Sequence, residues 1–148
     1  MKREEKYPST DYFTYYNAND KSKIGGDCVV RAVALACSQS WEQTVREMTE
    51  MGIKKGLLLN DKKLYPKYLE SKGFIQMPEP RDAENLKISV IKFIKSGNIK
   101  GYVVVANVGS HHVVCIKNGK VHDIWNSSFQ TMHKYWVRKE IKKSVVRV

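Results

Sequence analysis

The sequence predicts an α+β fold, with helices first and an antiparallel sheet second. Three observations predict it. Up to residue 96 apolar residues recur at helical spacing, whereas beyond Gly97 the pattern turns continuous and β-branched, with Tyr102, Val103, Val104, Val105 and Val108. Asn118-Gly119 then separates two short apolar runs, the strongest short hairpin signal a sequence carries.

The elements follow in order. Residues 1–26 are polar and aromatic, with Tyr7, Tyr12, Phe13, Tyr15 and Tyr16 ahead of Gly25-Gly26, and read as a lead-in held by its aromatics. Residues 27–38 are apolar almost all round (Val29, Val30, Ala32, Val33, Ala34, Leu35, Ala36), as befits a core helix, with Asp27 as its N-cap. Ser40 and Gln43 form a capping box for a second helix, along which Trp41, Val45, Met48 and Met51 recur until Gly52. Asn60-Asp61 caps a third helix through Leu64, Tyr68 and Leu69 to Gly73, with Pro66 in its early turns. Pro78 and Pro80 mark a linker, residues 83–96 predict a fourth helix, and Gly97 stops it. Strands are expected over residues 102–108, 112–117, 120–125 and 135–138.

Composition sets the outer limits. The 148 residues, 42% of them hydrophobic, suffice for one domain over 1–148 with an ordinary core. Flexibility is expected only in the lead-in 1–11 and the basic tail 139–148. Three cysteines (Cys28, Cys37, Cys115) without paired spacing argue against a disulfide framework and for a reducing, cytoplasmic setting. The opening residues lack an apolar signal region, and no run approaches the ~18–20 apolar residues of a membrane span, so no membrane partner is expected. The excess of 26 Lys plus Arg over 15 Asp plus Glu, a net +11, suits an acidic partner: nucleic acid, an anionic polymer or an acidic protein.

Chemistry gathers around one thiol. Cys28 falls in the first turn of the apolar helix, where free backbone N–H groups and the helix dipole favour an anion. A thiol there drops from ~8.5 to between ~3.5 and ~7.5, so the thiolate is present at neutral pH. In the hairpin, a two-residue turn sets Lys117 opposite Lys120, Val114 opposite Asp123 and His112 opposite Trp125. Asp123 becomes the diagonal same-face neighbour of His112, about 7–8 Å away between backbones and within side-chain reach. On the other face His111 pairs with Asn126, whose amide oxygen suits the same task, and a one-residue bulge exchanges the two assignments. Either way the residues fit a Cys-His-Asp/Asn triad, in which imidazole activates the thiol and a third group orients imidazole.

The segments Tyr15-Tyr16-Asn17-Ala18-Asn19, Gly26-Asp27-Cys28-Val29-Val30-Arg31-Ala32-Val33-Ala34, and His112 through Asp123 and Asn126 to Ser128 resemble a family of small papain-like cysteine peptidase domains of bacteria and bacteriophages, over about residues 12–137. The resemblance implies a papain-like fold, with the nucleophile helix packed on a C-terminal antiparallel sheet. Carried over, Cys28 is the nucleophile, His112 the general base and Asp123 or Asn126 the orienter. The chain departs from true papains in lacking their Cys-Gly-Ser-Cys-Trp signature. Position 22 is Ser where papain-like enzymes place Gln, which leaves Asn17 or Asn19, with the Cys28 backbone N–H, as oxyanion donors. The implied activity is a thiol-dependent hydrolase or acyl-transferase acting on an amide or related acyl bond of a peptide or protein, with no cofactor.

Three other patterns bear on this reading. A zinc site is not expected, because no Cys-x-x-Cys or His-x-x-x-His occurs and adjacent His111 and His112 point to opposite faces of a strand. Arg31, one turn from Cys28, fits support of the thiolate, a substrate carboxylate or a plain salt bridge. Lys134, Arg138, Lys139, Lys142, Lys143 and Arg147, interleaved with Tyr135 and Trp136, suit phosphate contacts and base stacking. They define the alternative: a catalytically inactive papain-like binding module acting through its basic surface on nucleic acid or an acidic protein.

Overall fold

The β-branched second half builds the centre of the molecule, as its pattern demands. The computed structural model describes residues 1–140. In chain order it contains α1 (Arg3–Lys6), β1 (Phe13–Tyr15), α2 (Cys28–Ala36), α3 (Trp41–Lys55), α4 (Tyr65–Ser71), β2 (Ile75–Met77), α5 (Val90–Ser96), β3 (Tyr102–Val108), β4 (His112–Lys117), β5 (Lys120–Asp123) and β6 (Met132–Lys139). The strands form one mixed six-stranded sheet in the order β1-β5-β4-β3-β6-β2, so the class is α+β.

The sheet departs from a purely antiparallel one. β1 pairs parallel to β5, Phe13 with Val121 and Tyr15 with Asp123, while the other strand pairs are antiparallel. The lead-in supplies the extra strand because Phe13, fully buried, drives it into the core. It is held further by Arg3, whose Nε donates to the Ile124 carbonyl at 2.6 Å.

β3 is apolar at consecutive positions because both its faces are covered. Val103 and Val105 face a cluster with Val29, Val33, Met48, Leu69 and Trp136, contributed by α2, α3, α4 and β6, and with Leu64 just ahead of α4. Val104, Ala106 and Val108 face a second cluster with Phe13, Phe93, Val114, Ile116 and Met132. The continuous run of valines is thus the signature of a central strand.

Three helices differ from expectation in their bounds. α3 begins at the predicted cap, where Ser40 Oγ accepts the Gln43 N–H at 3.0 Å, but runs through Gly52 to Lys55. Gly56 ends it, with a left-handed φ of 69° that glycine adopts without strain. α4 starts at Tyr65 rather than Asp61, because Asp61 Oδ1 takes the Lys63 N–H at 2.8 Å in a separate turn. The helix predicted over 83–96 covers only Val90–Ser96. Upstream of it, Asp82 Oδ1 accepts the N–H groups of Glu84 and Leu86, both at 2.9 Å, and Asn85 turns to φ 64°. A side chain that captures local backbone donors competes with the helix.

No helix among the described residues is long and apolar enough to cross a membrane.

Candidate active site

α2 delivers Cys28 at its first residue, yet its start is not capped as the sequence suggests. Asp27 occupies the N-cap position without a side-chain cap hydrogen bond. Its carboxylate is engaged elsewhere: Oδ1 pairs with Arg31 one turn on, and Oδ2 accepts the Trp41 indole N–H at 3.0 Å. The first backbone N–H groups of α2 therefore keep no side-chain cap. They are the donors that attract an anion to a helix start.

β4 and β5 keep the predicted register, Lys117 with Lys120, Ile116 with Val121 and Cys115 with His122. The turn chemistry of Asn118-Gly119, both at positive φ, fixes it. That register places His112 and Asp123 on one face, and His112 Nε2 meets Asp123 Oδ2 at 2.6 Å. The Trp125 ring lies against His112, centroids 4.9 Å apart. Asp123 is held from every side: Ser127 Oγ donates to Oδ2 at 2.6 Å, the Ile124 N–H donates to Oδ1 at 2.8 Å, and Arg31 stands 3.7 Å from Oδ1. With Nε2 on Asp123, Nδ1 is the ring nitrogen left to face the thiol.

The three cysteines diverge in acidity. Burial alone would raise the Cys28 thiol, but hydrogen bonds from the His112 side chain and the Val113 backbone, with the charges of His112 and Arg31, bring it below its ordinary value. Burial likewise works against protonated His112, and the Asp123 and Cys28 hydrogen bonds and charges override it, raising the imidazole to about 9. The pair accordingly favours thiolate and imidazolium. Burial pushes Cys37 up to about 11 and Cys115 up to about 12.

Cys28 and His112 open on a cleft of about 830 Å³ whose walls include Tyr65, Asn107, His111 and His133. This lies within the ~300–1,000 Å³ usual for ligand sites. His133 is fixed on the far wall, Nδ1 to Glu79 at 2.7 Å and Nε2 to the Gly109 carbonyl at 3.0 Å. Among the described residues no group of three or more His, Cys, Asp or Glu is arranged to hold a metal ion.

Of the predicted site residues, Cys28, His112 and Asp123 come together, and Asn126 and Asn17 do not. β5 ends at Asp123, so His111 and Asn126 never pair. Asn126 Oδ1 instead accepts the N–H and hydroxyl of Ser128, at 3.1 and 2.5 Å, in the turn that follows. Asn17 is engaged within its own loop, its amide donating to the Lys23 carbonyl at 3.1 Å and its Oδ1 accepting the Asn19 N–H at 3.0 Å. Asn19 Oδ1 accepts the Lys21 N–H at 3.0 Å in the same loop. Sequence reasoning missed Ser127 and the partnership of Asp27 with Trp41. The i, i+4 spacing of Asp27 and Arg31 was the readable signal for the ion pair.

Two residues of the basic, aromatic stretch proposed for nucleic acid serve the fold, while Lys134 and Lys139 are exposed. Trp136 is fully buried in β6 and offers no face for a base. Arg138 donates to the carbonyls of Lys72 at 2.7 Å and Ala36 at 3.2 Å and lies over the Phe74 ring. Lys142, Lys143 and Arg147 lie outside the described residues. No protein-family model, curated protein or solved structure matches the chain.

Proposed function

We propose that the chain is a thiol-dependent hydrolase or acyl-transferase of papain-like fold acting on an amide or related acyl bond of a peptide or protein. One observation carries the reading: His112 stands between the Cys28 thiol and a buried Asp123, with Cys28 lowered and His112 raised in pKa. Neither inert core cysteines nor plain salt bridges combine a helix-start thiol, an imidazole and a fixed carboxylate in one cleft.

The reaction runs in two halves. Cys28 thiolate attacks the acyl carbon, and the negative charge that forms on the acyl oxygen is met by the free N–H groups at the start of α2. The tetrahedral adduct collapses, the C–N bond breaks, and imidazolium His112 gives its proton to the departing amine. A thioester remains. Neutral His112 then takes a proton from water, the hydroxide attacks the thioester, and the acid leaves as the Cys28 thiolate and His112 imidazolium are restored. An amine in place of that water gives acyl transfer.

The test is a fluorogenic peptide-amide library incubated with the wild-type chain and with Cys28→Ala. Cleavage of some member by the wild type alone supports the proposal. Cleavage by neither, together with no preferential alkylation of native Cys28, overturns it.

A further inference from the structure

A second cavity of about 590 Å³ adjoins the thiol cleft and shares Gly26, Val29 and Asn60 with it as common wall. α2 and α3 supply its floor through Val30, Trp41 and Val45, and the three leucines after α3, Leu57 to Leu59, fold back as its rim. Two glycines permit that return. A Cβ on Gly52 would drive into the Leu57 carbonyl, and Gly56 carries the left-handed turn.

Its chemistry is one-sided. Asp27 is the one charged residue in the lining, and Arg31 and Trp41 already engage its carboxylate. A charged guest would lose water here and find no ion-pair partner free, since the other polar side chains of the lining, Thr49 and Asn60, are uncharged. At the mouth, Ile53 and Leu58 are 76% and 78% exposed, an apolar display that marks a contact surface. Trp41, tied to Asp27, links the floor to the residue preceding the thiol, so the cavity is preformed relative to the reacting carbon.

We infer that this cavity is a specificity pocket that takes an aliphatic or aromatic side chain of the substrate, one or two residues from the scissile carbonyl. The inference rests on the proposed acyl chemistry at Cys28. It narrows the substrate class to peptides with an apolar residue beside the cleaved bond.

The test uses acetyl-dipeptidyl chloromethyl ketones carrying Leu-Ala, Ala-Leu, Ala-Ala and Asp-Ala, with alkylation rates of Cys28 read by intact mass. One Leu reagent should outpace Ala-Ala by about tenfold or more, and Asp-Ala should gain nothing. In Ile53→Ser combined with Leu58→Ser, both exposed positions, that ratio should fall toward one. In Cys28→Ala, the amide of acetyl-Leu-Ala should shift the NMR signal of the Trp41 indole N–H, and that of acetyl-Ala-Ala should not. Equal rates for Leu and Ala reagents, or a ratio untouched by the double variant, overturn the pocket. A wild-type dimer that becomes monomeric in the double variant, with the ratio unchanged, assigns the face to a second copy and also overturns it. Shifts at Trp41 without native alkylation of Cys28 leave the pocket standing and remove the acyl chemistry instead.

Discussion

Arg31 of α2 stands 3.7 Å from Asp123 at the end of β5 while pairing with Asp27, the N-cap residue of its own helix. One buried guanidinium thereby ties the element that bears the thiol to the carboxylate that holds the imidazole. Removing one partner of a buried ion pair costs about 3–5 kcal/mol, because it strands the other charge. Arg31→Met should therefore lose stability on that scale by denaturant titration. Since Arg31 is among the charges that lower Cys28, the pH midpoint of Cys28 alkylation should also move upward, and less so in Arg31→Lys. An unmoved midpoint in the Met variant would show that the arginine acts on the fold alone.

The three thiols should separate cleanly. At pH 7 iodoacetamide should modify Cys28 in the native protein and leave Cys37 and Cys115 untouched, since burial holds those two at about 11 and about 12. Peptide mapping before and after unfolding reads the difference, and all three should react once unfolded.

The pH profile has a definite sign. Cys28 is lowered by His112, the Val113 backbone and Arg31 against the effect of burial, so its thiolate fraction near neutral pH exceeds that of an ordinary thiol and alkylation should climb less steeply between pH 7 and 8. An ordinary thiol near ~8.5 climbs severalfold over that interval. His112, raised to about 9, is protonated below that value and neutral above it, so amide hydrolysis should fall as pH rises through about 9. His112→Ala removes two of the influences that lower the thiol and should restore a steep alkylation profile.

Asp123 and Asn126 give opposite outcomes. Asp123→Asn should lower kcat/KM by roughly 10²–10⁴, the range of a general acid–base contribution, with the fold retained by circular dichroism. Asn126→Ala should stay within about tenfold of wild type, its side chain serving only the Ser128 turn. A larger loss in Asn126→Ala than in Asp123→Asn would reverse the assignment of the orienting group.

Gly52→Ala separates helix propensity from packing. Alanine favours a helix by about 1 kcal/mol over glycine. Here its methyl would meet the Leu57 carbonyl, a backbone atom that cannot swing aside. Net destabilisation of about 1–3 kcal/mol is expected, measurable as a lowered urea midpoint.

Much of the candidate site is legible because the hairpin is. Asn118-Gly119 leaves one comfortable register, and that register alone sets His112, Asp123 and Trp125 on a common face. The identity of the orienter stayed open because nothing local tells where β5 ends, and pairing to residue 126 would have favoured Asn126. The three-residue strands β1 and β2 carry too few residues to show alternation; only the fold reveals that Phe13 is core. Asp27 reads as a cap by residue type, but Arg31 and Trp41 compete for its carboxylate and win. The same limit applies to β6, where alternation turns Trp136 inward while its charged neighbours suggest a binding face.

The parallel pairing of Phe13–Tyr15 with Val121–Asp123 has a biosynthetic consequence. Cys28 leaves the ribosome early, but its imidazole and carboxylate partners are made late, and the strand that ends in Asp123 needs the N-terminal strand as its neighbour. Until residue 123 has been made, the thiol lacks the imidazole and carboxylate arrangement that lowers it in the fold. On the proposed reading, the activated thiol is assembled only once residues 13–15 and 121–123 meet in the sheet, so a chain lacking that pairing does not carry the assembled nucleophile.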